Sequence, residues 1–189
     1  MANIPKPTSE EVKKYLKQWD SLENYVNQEK SLNKLFRQLL RENKTMEDIL
    51  IKSSTLNDFY STMIFNIFEV AKNIYKWDID ERLKEGDITL VNDIAYVPAL
   101  ERRCYSFASK YCSHHNPNQF PIYDNYVDRV LRHFRKVDKF AKFKNDDLKD
   151  YVKFNSILKE FATYYSLEQY SLKQLDRYLW LLGKEHFKK

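Results

Sequence analysis

Apolar positions recur every three or four residues along almost the whole chain, which is the period of amphipathic helices. Val12, Tyr15, Leu16 and Trp19 follow the capping box Thr8-Ser-Glu-Glu11 and predict a first helix. A second run passes through Leu22, Tyr25 and Val26. A third, starting at Ser31, takes in Leu32, Leu35, Phe36, Leu39 and Leu40. Thr45 is placed to cap a short helix through Ile49, Leu50 and Ile51. Residues 52–62 then interrupt with side chains that either cap the next helix or line a pocket. That next helix, through Met63, Ile64, Ile67, Phe68, Val70, Ala71, Ile74 and Tyr75, is apolar around much of its circumference and is expected to be buried.

Gly86 stops a short exposed helical turn at 76–86. Residues 87–94 contain the β-prone Ile-Thr-Leu-Val, yet a helix is preferred because the surroundings offer no second strand. A turn at 95–98 puts Pro98 at the first helical position of a helix over 99–115, with Leu100, Cys104, Phe107, Ala108, Tyr111 and Cys112 on its stripe. Asn116-Pro117 ends that helix, and Asp124 caps the next. There Val127, Val130, Leu131, Phe134 and Val137 share one face, and Arg129, Arg132, Lys136 and Lys139 the opposite one. Asn145-Asp-Asp147 breaks the pattern before a helix through Tyr151, Phe154, Ile157, Leu158 and Phe161. The capping box Ser171-Leu-Lys-Gln174 opens the last, through Leu172, Leu175, Tyr178, Leu179 and Leu182. The expectation is an all-α fold of about nine or ten short helices, one domain over 1–189, with a disordered lead-in at 1–7, no internal repeat and no flexible linker.

Composition sharpens this in three ways. Two glycines in 189 residues nearly exclude phosphate-cradling glycine loops and glycine-turned hairpins. No run is long and apolar enough to span a bilayer, and Met-Ala-Asn-Ile-Pro-Lys-Pro holds no hydrophobic signal region, so a cytoplasmic, non-membrane protein is expected. Cys104 and Cys112 are eight residues apart on one helix, about 12 Å at 1.5 Å per residue, too far to bridge, and are read as reduced core thiols. The net charge of +5 is concentrated: residues 129–144 hold seven cations (Arg129, Arg132, Arg135, Lys136, Lys139, Lys142, Lys144) against one acid, Asp138. Such a patch points to a polyanionic partner, against the plainer alternative of a solvated helix face.

Candidate chemistry gathers around 104–131. Cys112, His114 and His115 lack metal-ligand spacing, so no metal is expected. A thiol on the apolar side of its helix is blunted as a nucleophile. Lys110 lies off its helix's stripe on the side of Arg103 and Ser106. A lysine amine there becomes a nucleophile if a neighbouring cation and an apolar border lower its pKa, and Arg103 and Phe107 are placed to do so. Asp124, at the mouth of the next helix, is a carboxylate able to stabilise developing positive charge. The plainer alternatives are a solvated lysine and a simple cap.

Three stretches give the resemblance. Helix 87–94, turn 95–98 and helix 99–115 lead into Phe120-Pro-Ile-Tyr-Asp124, and Ile51-Lys-Ser-Ser-Thr-Leu-Asn-Asp58 lies upstream. Together, over residues 45–140, they resemble the helix-hairpin-helix superfamily of base-excision DNA glycosylases, in its 8-oxoguanine glycosylase branch. The resemblance implies a two-lobed helical domain with a helix-hairpin-helix-like unit at about 87–115 and extrusion of a damaged base into a pocket. It implies Lys110 as the nucleophile that forms a Schiff base at the sugar and Asp124 as the charge-balancing acid. DNA contacts are implied for Arg129, Arg132, Lys136, Lys139, Thr55 and Asn57, and a base pocket for Phe120, Tyr123 and Tyr111, each of which is equally a core-packing candidate. No cofactor is implied. The chain departs from the family in its hairpin, Ala-Tyr-Val-Pro-Ala with no Gly-x-Gly, in Thr55 where the family has glutamine, and in a Lys110-to-Asp124 separation of 14 residues, shorter than usual. The alternative is a non-catalytic nucleic-acid-binding or helical protein-interaction protein on the same scaffold.

Overall fold

A computed structural model describes residues 4–187. Among them the chain is all-α, with ten helices in the order α1 (Ser9–Asp20), α2 (Glu23–Lys34), α3 (Met46–Phe59), α4 (Ile67–Lys76), α5 (Asp80–Glu85), α6 (Leu90–Ala95), α7 (Tyr105–His115), α8 (Asn125–Asp138), α9 (Tyr151–Tyr164) and α10 (Leu172–His186). Between α6 and α7 lies a two-stranded antiparallel ladder of β1 (Tyr96–Val97) and β2 (Arg102–Arg103). The chain divides into two compact units. One comprises residues 27–120; the other comprises 1–26 and 121–189.

In the unit of 1–26 and 121–189, α10 is the shared wall. Val12 and Tyr15 of α1 are buried, and the Tyr15 ring lies 5.6 Å from that of Tyr178. Gly183 lets α8 approach α10: a Cβ there would lie 2.6 Å from Tyr126 Cβ and 2.9 Å from its carbonyl oxygen. Phe134, Phe140, Phe161 and Tyr165 form one aromatic cluster. Each buried Phe of this kind contributes about 2–3 kcal/mol. The caps read from sequence are formed: Thr8, Asp124 and Ser171 each accept from a backbone N–H of the first turn, and Gln174 answers Ser171. Residues 1–3 of the lead-in lie outside the described residues; Ile4 and Pro7 are buried.

In the unit of 27–120, α3 packs on α4 and α6 on α7. The break expected at residues 52–62 is not there. α3 runs unbroken from its cap Thr45 to Phe59, because hydroxyl and amide residues do not by themselves end a helix: Thr55 Oγ1 donates back to the Ile51 carbonyl at 2.9 Å, and Lys52 and Ser53 join Ile49 and Leu56 on the buried face. The chain breaks later. Ser61 and Met63 take positive φ (47° and 56°), and Asn57 holds the turn, its Oδ1 accepting from Ile64 N–H and Thr62 Oγ1 and its Nδ2 donating to Ile64 O. The helix expected from Met63 therefore begins at Ile67, and only Val70, Ala71 and Ile74 of it are buried. Met63, Phe68 and Tyr75 are exposed, as is Ile51, and Phe65 is 95 % exposed.

The second and third helices of the sequence reading are one. α2 continues past Ser31, whose hydroxyl back-bonds to Asn27 O, into a π-helical turn at Leu35–Leu39 that leaves Leu39 exposed. Residues 87–94 are helical, as preferred, but a second strand does exist. Val97 pairs with Arg102 and Tyr96 with Arg103 around a 3-10 turn at Pro98–Leu100, with Glu101 at φ +45°. The helix expected over 99–115 accordingly starts at Tyr105.

Candidate functional site

α7 is buried along nearly its whole length, from Tyr105 through His114 with Ser106 alone half-buried. Lys110 is therefore 5 % exposed rather than solvated. Its Nζ donates to Ser106 Oγ at 2.5 Å, one helical turn back, and lies 5.0 Å from the centroid of the Tyr60 ring at the end of α3. The Tyr60 hydroxyl is hydrogen-bonded to His114 Nε2 at 3.0 Å. The His114 ring rests on Phe36 and its carbonyl accepts from Arg37 Nε at 3.1 Å. The ring face and the hydroxyl fix where the amine sits. Arg103 does not flank it. Its guanidinium stacks on Tyr105 at 4.7 Å and donates to Asn92 Oδ1, because Arg103 belongs to β2 and not to the helix. Phe107 is buried.

A second amine, missed in the sequence, lies deeper in the same unit. Lys52 is completely buried, and its Nζ donates to Leu40 O (3.2 Å), Glu42 O (2.7 Å) and Asn43 Oδ1 (2.6 Å). Asn43 also accepts from the Tyr111 hydroxyl at 2.6 Å. It donates through Nδ2 to Asp80 Oδ1 at 2.6 Å, and its backbone N–H reaches both Asp80 oxygens. Burial pulls the Lys52 amine down to about 8, with Asp80 and Asp48 resisting. His115 Nε2 faces two donors, Asn43 Nδ2 at 3.3 Å and Lys52 Nζ at 3.4 Å, so it acts as an acceptor. Burial first, then Lys52 and Arg37, hold its pKa well below the ordinary histidine value. With every Lys52 proton directed at a protein acceptor, this constellation fixes the 40–44 loop. Its signal was present: a lysine in register with Ile49 and Leu56 on an apolar stripe. Cys112 and Cys104 are free thiols whose pKa values burial pushes up.

The remaining expected residues divide sharply. Tyr111 and Phe120 are fully buried, Tyr111 on α7 with its ring against Phe36 and Phe107, and Phe120 past the end of that helix. Thr55 and Asn57 are engaged with their own backbone surroundings as described above.

In the other unit Asp124 caps α8, its Oδ1 accepting from Tyr126 N–H at 2.6 Å. Tyr123 donates to the buried Asp128 at 2.9 Å with its ring edge-on to Phe154, and burial holds its hydroxyl pKa above the ordinary value. The basic face of α8 is not presented whole. Arg129 donates to Phe187 O and stacks on that ring. Arg132 turns to Asp128, with Nη2 donating at 3.0 Å and Nε only 2.7 Å from the other oxygen but poorly aligned for a hydrogen bond. Lys136 is exposed, and Lys139 lies past the helix end at φ +53°. Val137, expected inside, is exposed because α8 is already ending there.

A helical protein with a short antiparallel turn between two helices, and a lysine amine enclosed on the second, is the class these features define. The family model described as HI_0787_N, N-terminal domain, matches residues 11–119, and the chain belongs to that family. An uncharacterized protein of Haemophilus influenzae (strain ATCC 51907 / DSM 11121 / KW20 / Rd) is 54% identical over 136 residues, 70% of this chain and 65% of that protein, so the chain spans somewhat under two thirds of that relative's length. No solved structure matches the chain.

Proposed function

We propose that the protein is a DNA glycosylase or lyase-like enzyme acting on damaged or abasic DNA, with Lys110 as the nucleophile. The observation that carries this reading is the enclosure of Lys110: an amine buried to 5 % exposure, directed by Ser106 and laid on Tyr60. A lysine serving only solubility has no reason to give up its hydration, whereas an amine that attacks a sugar carbon and forms a Schiff base requires fixed geometry and little water. The resemblance of 45–140 to the base-excision glycosylases supplies the substrate class.

Borohydride reduction on duplex DNA carrying an abasic site or 8-oxoguanine tests it. A covalent adduct is expected with the full chain and is lost in Lys110→Gln. Absence of an adduct on either substrate rejects the enzyme.

One observation favours the second reading, a non-catalytic nucleic-acid-binding or helical protein-interaction protein. The hairpin turns through Pro98–Leu100 with Glu101 at positive φ, which sets an exposed carboxylate where glycine amides would meet a phosphate. Salt-sensitive DNA binding without an adduct supports the nucleic-acid binder, and neither result supports the protein-interaction module.

A further inference from the structure

We propose that residues 136–144 form a preorganised contact for the phosphate backbone of nucleic acid. Lys136, Lys139, Lys142 and Lys144 make the contacts, and Arg135 holds the segment in shape, while Arg129 and Arg132 engage partners outside it. The inference rests on nucleic acid being the partner, as in the reading above, and not on any chemistry at Lys110.

The seven cations of 129–144 fall into two groups. The three arginines are committed within the protein: Arg129 to Phe187 O, Arg132 to Asp128, and Arg135 through Nη1 to Phe143 O at 2.7 Å and through Nη2 to Asn145 Oδ1 at 3.0 Å. The four lysines are all exposed, and Lys136, Lys139 and Lys142 have no ion pair among the described residues. Lys144 has Asp147 near, but that carboxylate is already engaged by Lys153 at 2.7 Å and by the Lys144 backbone N–H. The only acid of the segment, Asp138, is turned to the Tyr165 hydroxyl at 2.6 Å.

The backbone carrying these lysines is fixed. Phe140 and Ala141 are buried, Phe143 is clamped beneath Arg135 at 4.7 Å, and the Asp138 carbonyl accepts from Tyr164. Favourable interaction with the end of α8 accounts for Lys136 and the capping Lys139 but not for Lys142 and Lys144, which lie beyond it. Four exposed ammonium groups on a rigid segment, three of them without an ion pair among the described residues, suit a polyanion whose charges are themselves regularly placed. A membrane surface suits it less, because the rings that would enter the acyl boundary, Phe140 and Phe143, are packed inward or covered.

Fluorescence anisotropy of the full chain with a random-sequence duplex, between 50 and 200 mM NaCl, tests this. Four phosphate contacts give a slope of about −3.6 in log affinity against log salt, on the order of a 100-fold loss across that range. The variant K136Q/K139Q/K142Q/K144Q is expected to abolish most of the slope, and Lys136→Gln with Lys142→Gln, which spares the strained Lys139, to remove about 1.8 of it. Arg132→Gln leaves the slope unchanged. An undiminished slope in the lysine variants overturns the inference, as does lysine-dependent binding to phosphatidylserine vesicles with none to duplex. Lysine-dependent DNA binding without a borohydride adduct upholds it while rejecting the enzyme. An adduct at Lys110 with an unaltered slope does the reverse.

Discussion

Tyr60 and Lys110 form a cation–ring pair, with the amine 5.0 Å from the ring centroid and the tyrosine hydroxyl tied at 3.0 Å to His114. The ring is the lid on the amine. Reductive methylation with formaldehyde and cyanoborohydride, followed by peptide mapping, is expected to label Lys110 at least about tenfold more slowly than the exposed Lys136. Tyr60→Leu should raise the Lys110 rate, since a cation–π contact of this kind is worth about 1–2 kcal/mol. Equal labelling of Lys110 and Lys136 in the unaltered protein would contradict the enclosure.

Lys52 answers three acceptors at once, so its loss is expected to be severe. Lys52→Met fits the volume but leaves Asn43 Oδ1 and two carbonyls short of donors. Urea unfolding should show a loss of about 2–4 kcal/mol with an unchanged m value. Asn43→Ala should cost a similar amount, since it deprives Lys52, Tyr111 and Asp80 together.

The same cluster makes stability rise with pH in two separate windows. His115 is held well below its ordinary value of 6.5, so as pH falls through 6.5 the unfolded chain takes up a proton that the folded chain refuses. Stability is lost there at up to about 1.4 kcal/mol per pH unit. For Lys52, lowered to about 8 from 10.5, the unfolded chain holds the extra proton between those values, so its contribution to stability rises from pH 8 toward 10.5. Urea midpoints measured from pH 4.5 to 9.5 check both, with His115→Gln flattening the acid limb and Lys52→Met the alkaline one.

These predictions concern a site that was only half legible. Lys110 and the cap at Asp124 could be read because both follow from local rules: helical spacing, and a carboxylate ahead of an apolar run. The caps Thr8, Thr45 and Ser171 were read for the same reason. The lysine–asparagine–aspartate network could not, because Asn43, Lys52, Asp80 and Tyr111 meet only through tertiary folding, and a polar run such as 52–62 looks the same whether its side chains face water or each other. The two-residue ladder at Tyr96 and Arg103 is too short to leave a period. The fate of the α8 cations depended on acceptors elsewhere, among them Phe143 O and Phe187 O, which no charge count reveals.

Helix propensity and packing pull in opposite directions at Gly183. Alanine there gains about 1 kcal/mol as a helix former, yet its Cβ would meet Tyr126 Cβ at 2.6 Å and the Tyr126 carbonyl at 2.9 Å. Neither can swing aside, so α8 and α10 must separate. Gly183→Ala is expected to destabilise by about 1–3 kcal/mol in thermal or urea unfolding.

The contact of α1 with α10 bears on where this chain can be cut. The family match closes at residue 119 and opens inside α1. A fragment trimmed to those limits would keep Val12 and Tyr15 and discard Tyr178, the ring that covers Tyr15, leaving a greasy strip with nothing to sit on. Such a piece should clump or shed its first helix, and a version beginning at residue 27 should behave better, although it is the shorter of the two.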